Sequence, residues 1–237
     1  MKKIIPDMIT SMTLLCGVIG VVFAFKGRPD IAFILMLAAS AADFLDGLAA
    51  RVLDDYSDMG KELDSLSDLV SFGVLPAVML YNCSRTCMFG ESWICWTPLL
   101  ITLASGLRLA KFNVDSRQTD SFLGLPTPAA ALLVGSLCHF VACDPSTFLA
   151  TWCAGPVFVP VLSICLSALL LSEIPMFSLK FHKNDSQVLK NKRMAFAFLV
   201  LAAILVVSFC GLCWSLIVLL SLAGYILKNL VYAILKI

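Results

Sequence analysis

The sequence has little charge and little histidine. Of its 237 residues only 14% are charged, whereas 60% are hydrophobic, and the mean hydropathy is +0.94. Soluble domains carry charge at about a quarter of their positions, so this composition excludes an ordinary soluble fold and indicates a polytopic membrane protein. The two histidines, His139 and His182, belong to no catalytic pattern. We expect His139 to be a packing residue and His182 to lie in a solvated loop.

The chain also has no internal repeat, no low-complexity tract and no room for a second soluble domain. Residues 1–237 are therefore predicted to form a single membrane-embedded domain. The start at Met1 resembles that of a signal peptide, but no small-residue cleavage pattern follows before charge returns. Ten cysteines are present without the two matched pairs of a typical zinc site. A disulfide among Cys83, Cys87 and Cys143, near the predicted outer face, is left open.

Eight apolar segments are each long enough to cross about 30 Å of hydrocarbon. They lie at roughly 8–25, 30–53, 64–82, 92–112, 126–143, 148–172, 193–210 and 212–234. The pattern predicts an all-α transmembrane bundle of about eight helices. Gly155 and Pro156 predict a kink within the sixth segment.

The positive charges are distributed unevenly across this predicted bundle. With the N-terminus in the cytoplasm, all of the seventeen Lys and Arg residues except Lys26, Arg28 and Arg85 fall on the inner side. The positive-inside rule then predicts that both termini are cytoplasmic. A bacterial inner membrane, crossed several times, is the predicted location.

Half of the sixteen acidic residues lie between Asp43 and Asp68. Residues three and four apart share a helix face, so Asp43 and Asp46 line one side of the second helix. Asp64 and Asp68 likewise line one side of the third helix, and the short connection makes the two helices antiparallel neighbours. Ionised carboxylates in a membrane are costly unless they are paired or metal-bound. The cluster therefore predicts a functional site on the cytoplasmic side.

The four aspartates predict metal-dependent chemistry. Carboxylates held together need counter-charge, and oxygen-only ligands suit hard cations, so we predict two divalent ions, Mg²⁺ or Mn²⁺. Two such ions about 4 Å apart are the usual clamp for phosphoryl transfer. The guanidinium group of Arg51, one turn beyond Gly47, can donate two hydrogen bonds to one phosphate. A divalent-cation transporter using the same carboxylates is the alternative from another class. Asp54, Asp55 and Asp58 are expected to be solvated loop residues and helix N-caps.

The spacing of this segment resembles the signature of the CDP-alcohol phosphotransferase family at every fixed position. The matching string is Asp43-x2-Asp46-Gly47-x2-Ala50-Arg51-x8-Gly60-x3-Asp64-x3-Asp68. The resemblance implies a six-helix core, with extra helices at about 193–234. It also implies transfer of a phosphatidyl or similar group from a CDP-linked donor to an alcohol, with release of CMP.

The resemblance further implies a role for each matching residue. Asp43, Asp46 and Asp64 are expected to bind the two metals, and Asp68 to bind metal and act as the general base for the acceptor hydroxyl. The residues expected to hold the CDP donor are Gly47, Arg51 and Ser57 of the signature and Asp7 and Thr10 of the segment Pro6-Asp7-Met8-Ile9-Thr10. That segment is similar to the family's Pro-Asn-x-x-Thr element, with Asp7 in place of asparagine.

The segments beyond the signature resemble the serine-using branch of this family. Three blocks carry the similarity, namely Asp64-Ser-Leu-Ser-Asp68-Leu-Val-Ser71-Phe-Gly, Arg108-Leu-Ala-Lys111-Phe-Asn113 and Gly124-Leu-Pro-Thr-Pro-Ala-Ala130. The candidates for contact with the acceptor or a lipid phosphate are Ser71, Arg108, Lys111 and Asn113. Arg108 and Lys111 also have a simpler interpretation as charges at the cytoplasmic ends of helices.

The predicted reaction therefore joins CDP-diacylglycerol to L-serine and gives phosphatidylserine and CMP. Inositol, choline or glycerol 3-phosphate acceptors are the alternatives within the family. The lipid bilayer is the predicted partner and a homodimer is one assembly left open. No nucleic-acid partner is predicted.

Overall fold

A computed structural model describes residues 4–53, 58–87, 93–114, 122–176 and 187–235. The described chain is built mainly of α-helices, as predicted. They are α1 (Ile4–Phe25), α2 (Pro29–Leu53), α3 (Asp58–Asp68), α4 (Leu75–Cys87), α5 (Leu99–Val114), α6 (Thr127–Cys143), α7 (Phe148–Cys153), α8 (Phe158–Leu171), α9 (Gln187–Cys210) and α10 (Ser215–Leu235). A π-helix (Leu69–Val74) joins α3 to α4, and a short 3₁₀-helix (Trp93–Trp96) precedes α5.

Four stretches of the described chain are long and apolar enough to cross a membrane, judged by length and composition. They are Asp7–Phe25, Pro29–Ala49, Met59–Thr86 and Trp93–Val114, and shorter apolar helices follow at Thr127–Cys143, Phe158–Leu171, Val200–Phe209 and Ser215–Val231. These eight stretches correspond in order to the predicted segments. The helical bundle is thereby confirmed, and the apolar helices indicate a membrane protein. Of the eight predicted spans, four reach membrane-crossing length among the described residues.

The structure corrects the prediction for the sixth segment. Residues 148–172 were expected to form one kinked span, but the chain breaks into α7 and α8. The Gly155 N–H closes a tight turn on the Trp152 carbonyl at 3.0 Å. Pro156 then has no N–H with which to continue the helix. The two breakers together end the helix rather than bend it.

A π-helix in the third span was not predicted, and it positions α1. Ser71, Phe72 and Gly73 of this segment are buried. The Ser71 hydroxyl donates to the Thr13 carbonyl of α1 at 2.9 Å. A Cβ added to Gly17 of α1 would lie 2.3 Å from Ser71 Oγ. Only glycine permits this approach, which holds α1 against the third span.

Helix α6 lies at the centre of the bundle, with most of its side chains buried. Phe33 and Met36 of α2 pack on Gly135 of α6, where an added Cβ would lie 2.7 Å from the Phe33 ring. Close backbone approach of this kind is the main source of helix association in lipid, where apolar burial against neighbours gains little.

A two-residue antiparallel pair holds the start of α6 against the end of α8. Its strands are β1 (Phe122–Leu123) and β2 (Pro175–Met176), and Phe122 is paired with Met176. Gly124 follows β1 at φ +79°, a conformation that favours glycine. Its N–H donates to the Ile174 carbonyl at 3.0 Å. These bonds fix the position of the first turn of α6.

Candidate active site

The acidic faces of α2 and α3 meet, as their helical spacing predicts. Carboxylate oxygens of Asp43, Asp64 and Asp68 all lie within 4.8 Å of one another. All three side chains are half-buried. Three carboxylates this close repel one another strongly unless a cation lies between them. The donor set consists only of oxygen, so this cluster could bind a hard divalent cation.

Asp46 lies beside this cluster and is more deeply buried, with 6% of its surface exposed. The Thr10 hydroxyl of α1 donates to Asp46 Oδ2 at 3.0 Å. Asp46 also interacts electrostatically with Asp64 and Asp68. The structure therefore brings all four aspartates into one acidic region, in which Asp46 is oriented by α1.

Thr10 ties three helices together at this point. Its hydroxyl bonds Asp46 of α2, and its carbonyl accepts a hydrogen bond from Ser67 Oγ of α3 at 3.2 Å. Asp7 lies about one turn earlier on α1 and is half-buried. The N-terminal element singled out from the sequence thus reaches the acidic region, with Thr10 making the direct contact.

Gly47 has open space where a side chain would extend. No atom lies within 4 Å of a Cβ built on it, in contrast to the packed Gly17 and Gly135. Internal packing therefore gives no reason for glycine at this position, whereas room for a ligand does. Arg51 lies in the last turn of α2, and its side chain is outside the described residues, as is all of Ser57.

Arg108 of α5 is buried within electrostatic range of the acidic cluster. Only 9% of its surface is exposed, and it attracts Asp68 electrostatically. Its Nη1 lies 3.5 Å from Thr127 Oγ1, which is a long contact for a hydrogen bond. Among the described residues, the buried atoms Arg108 Nε and Asp68 Oδ1 have no hydrogen-bond partner. Buried charged groups with unused donors and acceptors fit a polar ligand or a cation between them.

Ser105 is a further candidate that sequence reasoning missed. It lies one turn before Arg108 on α5 and is completely buried. Its hydroxyl has no partner among the described residues. The i, i+3 spacing from Arg108 was a signal that could have found it.

The other acceptor candidates are engaged elsewhere. Lys111 forms an exposed ion pair with Glu173 at 2.8 Å. Asn113 Nδ2 donates to Ser65 Oγ at 2.8 Å, and Ser71 donates to α1. Asn113 thus joins the end of α5 to α3, whereas Lys111 keeps its charge at the surface. Of the two cations among these four candidates, Arg108 is the one that is buried and interacts electrostatically with Asp68.

Comparison with known proteins agrees with this geometry. Residues 3–169 match the family described as CDP-alcohol phosphatidyltransferase. The chain is 35% identical to a CDP-diacylglycerol–serine O-phosphatidyltransferase of Mycobacterium leprae over 183 residues, which is 73% of this chain and 58% of that protein. It is 30% identical to the protein of the same name from Bacillus subtilis over 182 residues, 77% of this chain and 94% of that one.

An archaeal relative extends the comparison. An archaetidylserine synthase of Methanothermobacter thermautotrophicus is 37% identical over 134 residues, 56% of each chain. The chain spans about three fifths of the length of the mycobacterial relatives it matches. The family match covers the four aspartates, Thr10 and Arg108 together. On the strength of that match, this chain belongs to the CDP-alcohol phosphatidyltransferase family.

Proposed function

We propose that this protein transfers the phosphatidyl group of CDP-diacylglycerol to the hydroxyl of L-serine, giving phosphatidylserine and CMP. The observation that carries the proposal is the oxygen cluster of Asp43, Asp64 and Asp68, together with the buried Arg108 that interacts electrostatically with Asp68. The relatives that are serine O-phosphatidyltransferases support serine as the acceptor.

The donor set supports two bound divalent cations, Mg²⁺ or Mn²⁺. Asp43, Asp64 and Asp68 would hold them, with Asp46 as the fourth carboxylate, and the unpartnered Asp68 Oδ1 is an oxygen that such an ion would use. When bound, such ions neutralise charge on the phosphates as the donor is attacked. Removal of divalent cations should therefore abolish turnover.

Asp68 is the residue we propose as general base. It takes the proton of the serine hydroxyl as the serine oxygen forms a bond to the phosphorus next to diacylglycerol. The bond from that phosphorus to the CMP oxygen breaks, and CMP leaves. Thr10, Gly47, Arg51, Ser57 and Asp7 would position the CDP part. The open space at Gly47 supports this placement for one of them.

Arg108 is our proposal for recognition of the serine carboxylate. Serine is a zwitterion, so its carboxylate needs a donor close to the base that takes its hydroxyl proton. Arg108 has an unused buried Nε and interacts electrostatically with Asp68. Ser71 and Asn113 would act indirectly, because their hydrogen bonds join the π-helix to α1 and α5 to α3. Lys111 would stay at the surface, paired with Glu173.

We further propose that the acidic region faces the cytoplasm of an inner membrane, with both termini inside. Exposed Glu62 and Thr86 lie near opposite ends of the span Met59–Thr86. In a cysteine-free background, Glu62→Cys should react only from the cytoplasmic side and Thr86→Cys only from outside. The reverse labelling would contradict this orientation. We propose a homodimer as the assembly. A measurement of the mass of the protein in detergent tests this separately.

The test of the reaction uses the purified full-length protein. Labelled CDP-diacylglycerol and Mg²⁺ or Mn²⁺ are supplied with L-serine, inositol, choline or glycerol 3-phosphate, and CMP and lipid product are measured. We expect CMP release that depends on serine. Glycerol 3-phosphate outcompeting serine would contradict the acceptor assignment. Divalent-cation flux in vesicles without CMP release would instead favour a transporter.

A further inference from the structure

A second group of metal-ligating side chains lies at the other end of α6. His139 and Cys143 are one turn apart near the C-terminal end of this helix, and Cys213 lies in the connection between α9 and α10. One ligand atom from each lies within 4.8 Å of the other two. Thr127, which contacts Arg108, is at the opposite end of the 17-residue helix. That length is about 25 Å, so the group is separate from the acidic region.

Two nitrogen–sulfur distances in this group match those of a tetrahedral zinc site. His139 Nδ1 lies 3.6 Å from Cys143 Sγ and 3.5 Å from Cys213 Sγ. Zinc binds imidazole nitrogen at about 2.0–2.1 Å and thiolate sulfur at about 2.3 Å, which places nitrogen and sulfur ligands about 3.5–3.6 Å apart at a tetrahedral angle. Cys143 Sγ also lies 3.9 Å from His139 Nε2, so zinc binding at Nδ1 requires a rotation of the Cys143 side chain or of the imidazole ring.

Two thiols lie at the one imidazole ring. Cys213 Sγ is near Nδ1, whereas Cys143 Sγ is 3.6 Å from Nδ1 and 3.9 Å from Nε2. A thiol is a weak hydrogen-bond donor, so these contacts by themselves hold the three side chains together only weakly. Binding to a shared cation uses one nitrogen and both sulfurs at once.

Neighbouring groups hold the three ligands in place. The His139 ring is only 5% exposed and packs against Phe33 and Trp214, with centroid distances of 5.5 and 5.1 Å. The Asp144 carboxylate accepts the Cys213 backbone N–H at 3.1 Å, and Ser215 Oγ donates to Cys213 Sγ at 3.4 Å. Outer contacts of this kind orient metal ligands and raise affinity.

We propose that His139 Nδ1, Cys143 Sγ and Cys213 Sγ bind one Zn²⁺, with water as the fourth ligand. Cys143 is exposed, which gives the ion and the water access. Imidazole with thiolates favours zinc over Mg²⁺ or Mn²⁺. Cys213 lies beyond residue 169, where the family match ends. The ion would therefore fasten the α9–α10 connection to the family core.

The experiment is a zinc titration of the full-length protein in detergent. The protein is stripped with a chelator and kept in excess Mg²⁺, which occupies the carboxylates, and Zn²⁺ is added against a competing indicator. We expect about one tight zinc ion per chain. Cys213→Ser and Cys143→Ser should each weaken zinc affinity at least ~10-fold, because removal of even an outer contact costs about 10- to 100-fold. Cys165→Ser, an exposed thiol of α8, is the matched control and should leave affinity unchanged.

A second measurement uses the unsubstituted protein and so does not depend on how the variants fold. Bound Zn²⁺ should slow alkylation of Cys143, whereas Mg²⁺ should not, as measured by peptide mass spectrometry. Zinc affinity unchanged in the Cys143→Ser/Cys213→Ser double variant would overturn the proposal. Isolation of the protein with a Cys143–Cys213 disulfide and no zinc would overturn it as well.

Discussion

The two ends of the bundle carry opposite kinds of ligand chemistry. At one end, α2 and α3 present a cluster of carboxylate oxygens, with no sulfur or imidazole among the described ligands. At the other end, α6 and the α9–α10 connection present an imidazole and two thiols. Hard and soft donors select different metals, so one bundle can keep a reaction site and a structural site apart. Loss of each should therefore have a different consequence.

The largest expected effect on activity is that of a substitution at Asp68, which tests whether the acidic region is the reaction site. Asp68→Asn keeps the size of the side chain but removes the base and a charged metal ligand. We expect transfer activity to fall by at least ~10²-fold, the lower range for loss of acid–base catalysis. Cys213→Ser, at the opposite end, should retain activity within about twofold of the unsubstituted protein. The assay is serine-dependent CMP release, and normal turnover of Asp68→Asn would refute its role.

Arg108→Ala tests which substrate the buried arginine near the acidic region contacts. Loss of a charge-assisted hydrogen bond costs about 1.5–3 kcal/mol, so the apparent KM for serine should rise roughly ten- to a hundredfold. The KM for CDP-diacylglycerol should change much less. Lys111→Ala, which removes a cation from the same helix, is the control. If the donor KM rises instead, Arg108 contacts the lipid phosphate.

Two glycine substitutions distinguish a glycine needed for helix packing from a glycine that leaves room for a ligand. Gly17→Ala places a Cβ 2.9 Å from the Ser71 Cα, which is backbone and cannot swing away. Overpacking of this kind costs about 1–3 kcal/mol, so the midpoint of thermal unfolding should fall. Gly47→Ala has no atom within 4 Å of its new Cβ, so it should not lower the midpoint. It should instead raise the KM for CDP-diacylglycerol. A lowered midpoint in Gly47→Ala would show that its space is filled by the protein.

The smallest expected effect concerns the Lys111–Glu173 ion pair. Both side chains are about half exposed, at 45% and 60%. Exposed pairs contribute about 0–1 kcal/mol, so Glu173→Gln should shift the unfolding midpoint only slightly, and less at high salt. Activity should be unchanged. A large loss of activity would mean that Lys111 depends on Glu173 to reach the substrate.

The acidic site was largely predictable because its parts are close in sequence. Asp43, Asp64 and Asp68 come from two consecutive antiparallel helices, and helical periodicity alone places them on facing surfaces. Thr10 was singled out by a short N-terminal motif, and its bond to Asp46 agrees with that choice. The distinction between Arg108 and Lys111 was not predictable. Both are cations near one helix end, and the packing of α5 against α8 and the π-helix leaves Arg108 buried and Lys111 at the surface.

The His139 group shows the limit of sequence reasoning more clearly. The criterion of two matched cysteine pairs overlooked His139 and Cys143, although the i, i+4 spacing places both on one helix face. The expectation that His139 packs was correct, since Phe33 and Trp214 lie against its ring. Cys213 follows 70 residues after Cys143, and helical periodicity does not relate positions on separate helices.

Sequence by itself determined the membrane location, the order of the helices and the meeting of the acidic faces, because apolar length and helical period are local properties. Tertiary structure decided the π-helix at Leu69–Val74, the burial of Arg108 and the meeting of His139 with Cys213. Each of these depends on how closely one helix backbone approaches another. In lipid that approach is set by the fit of side chains across the interface, which a single helix sequence does not contain.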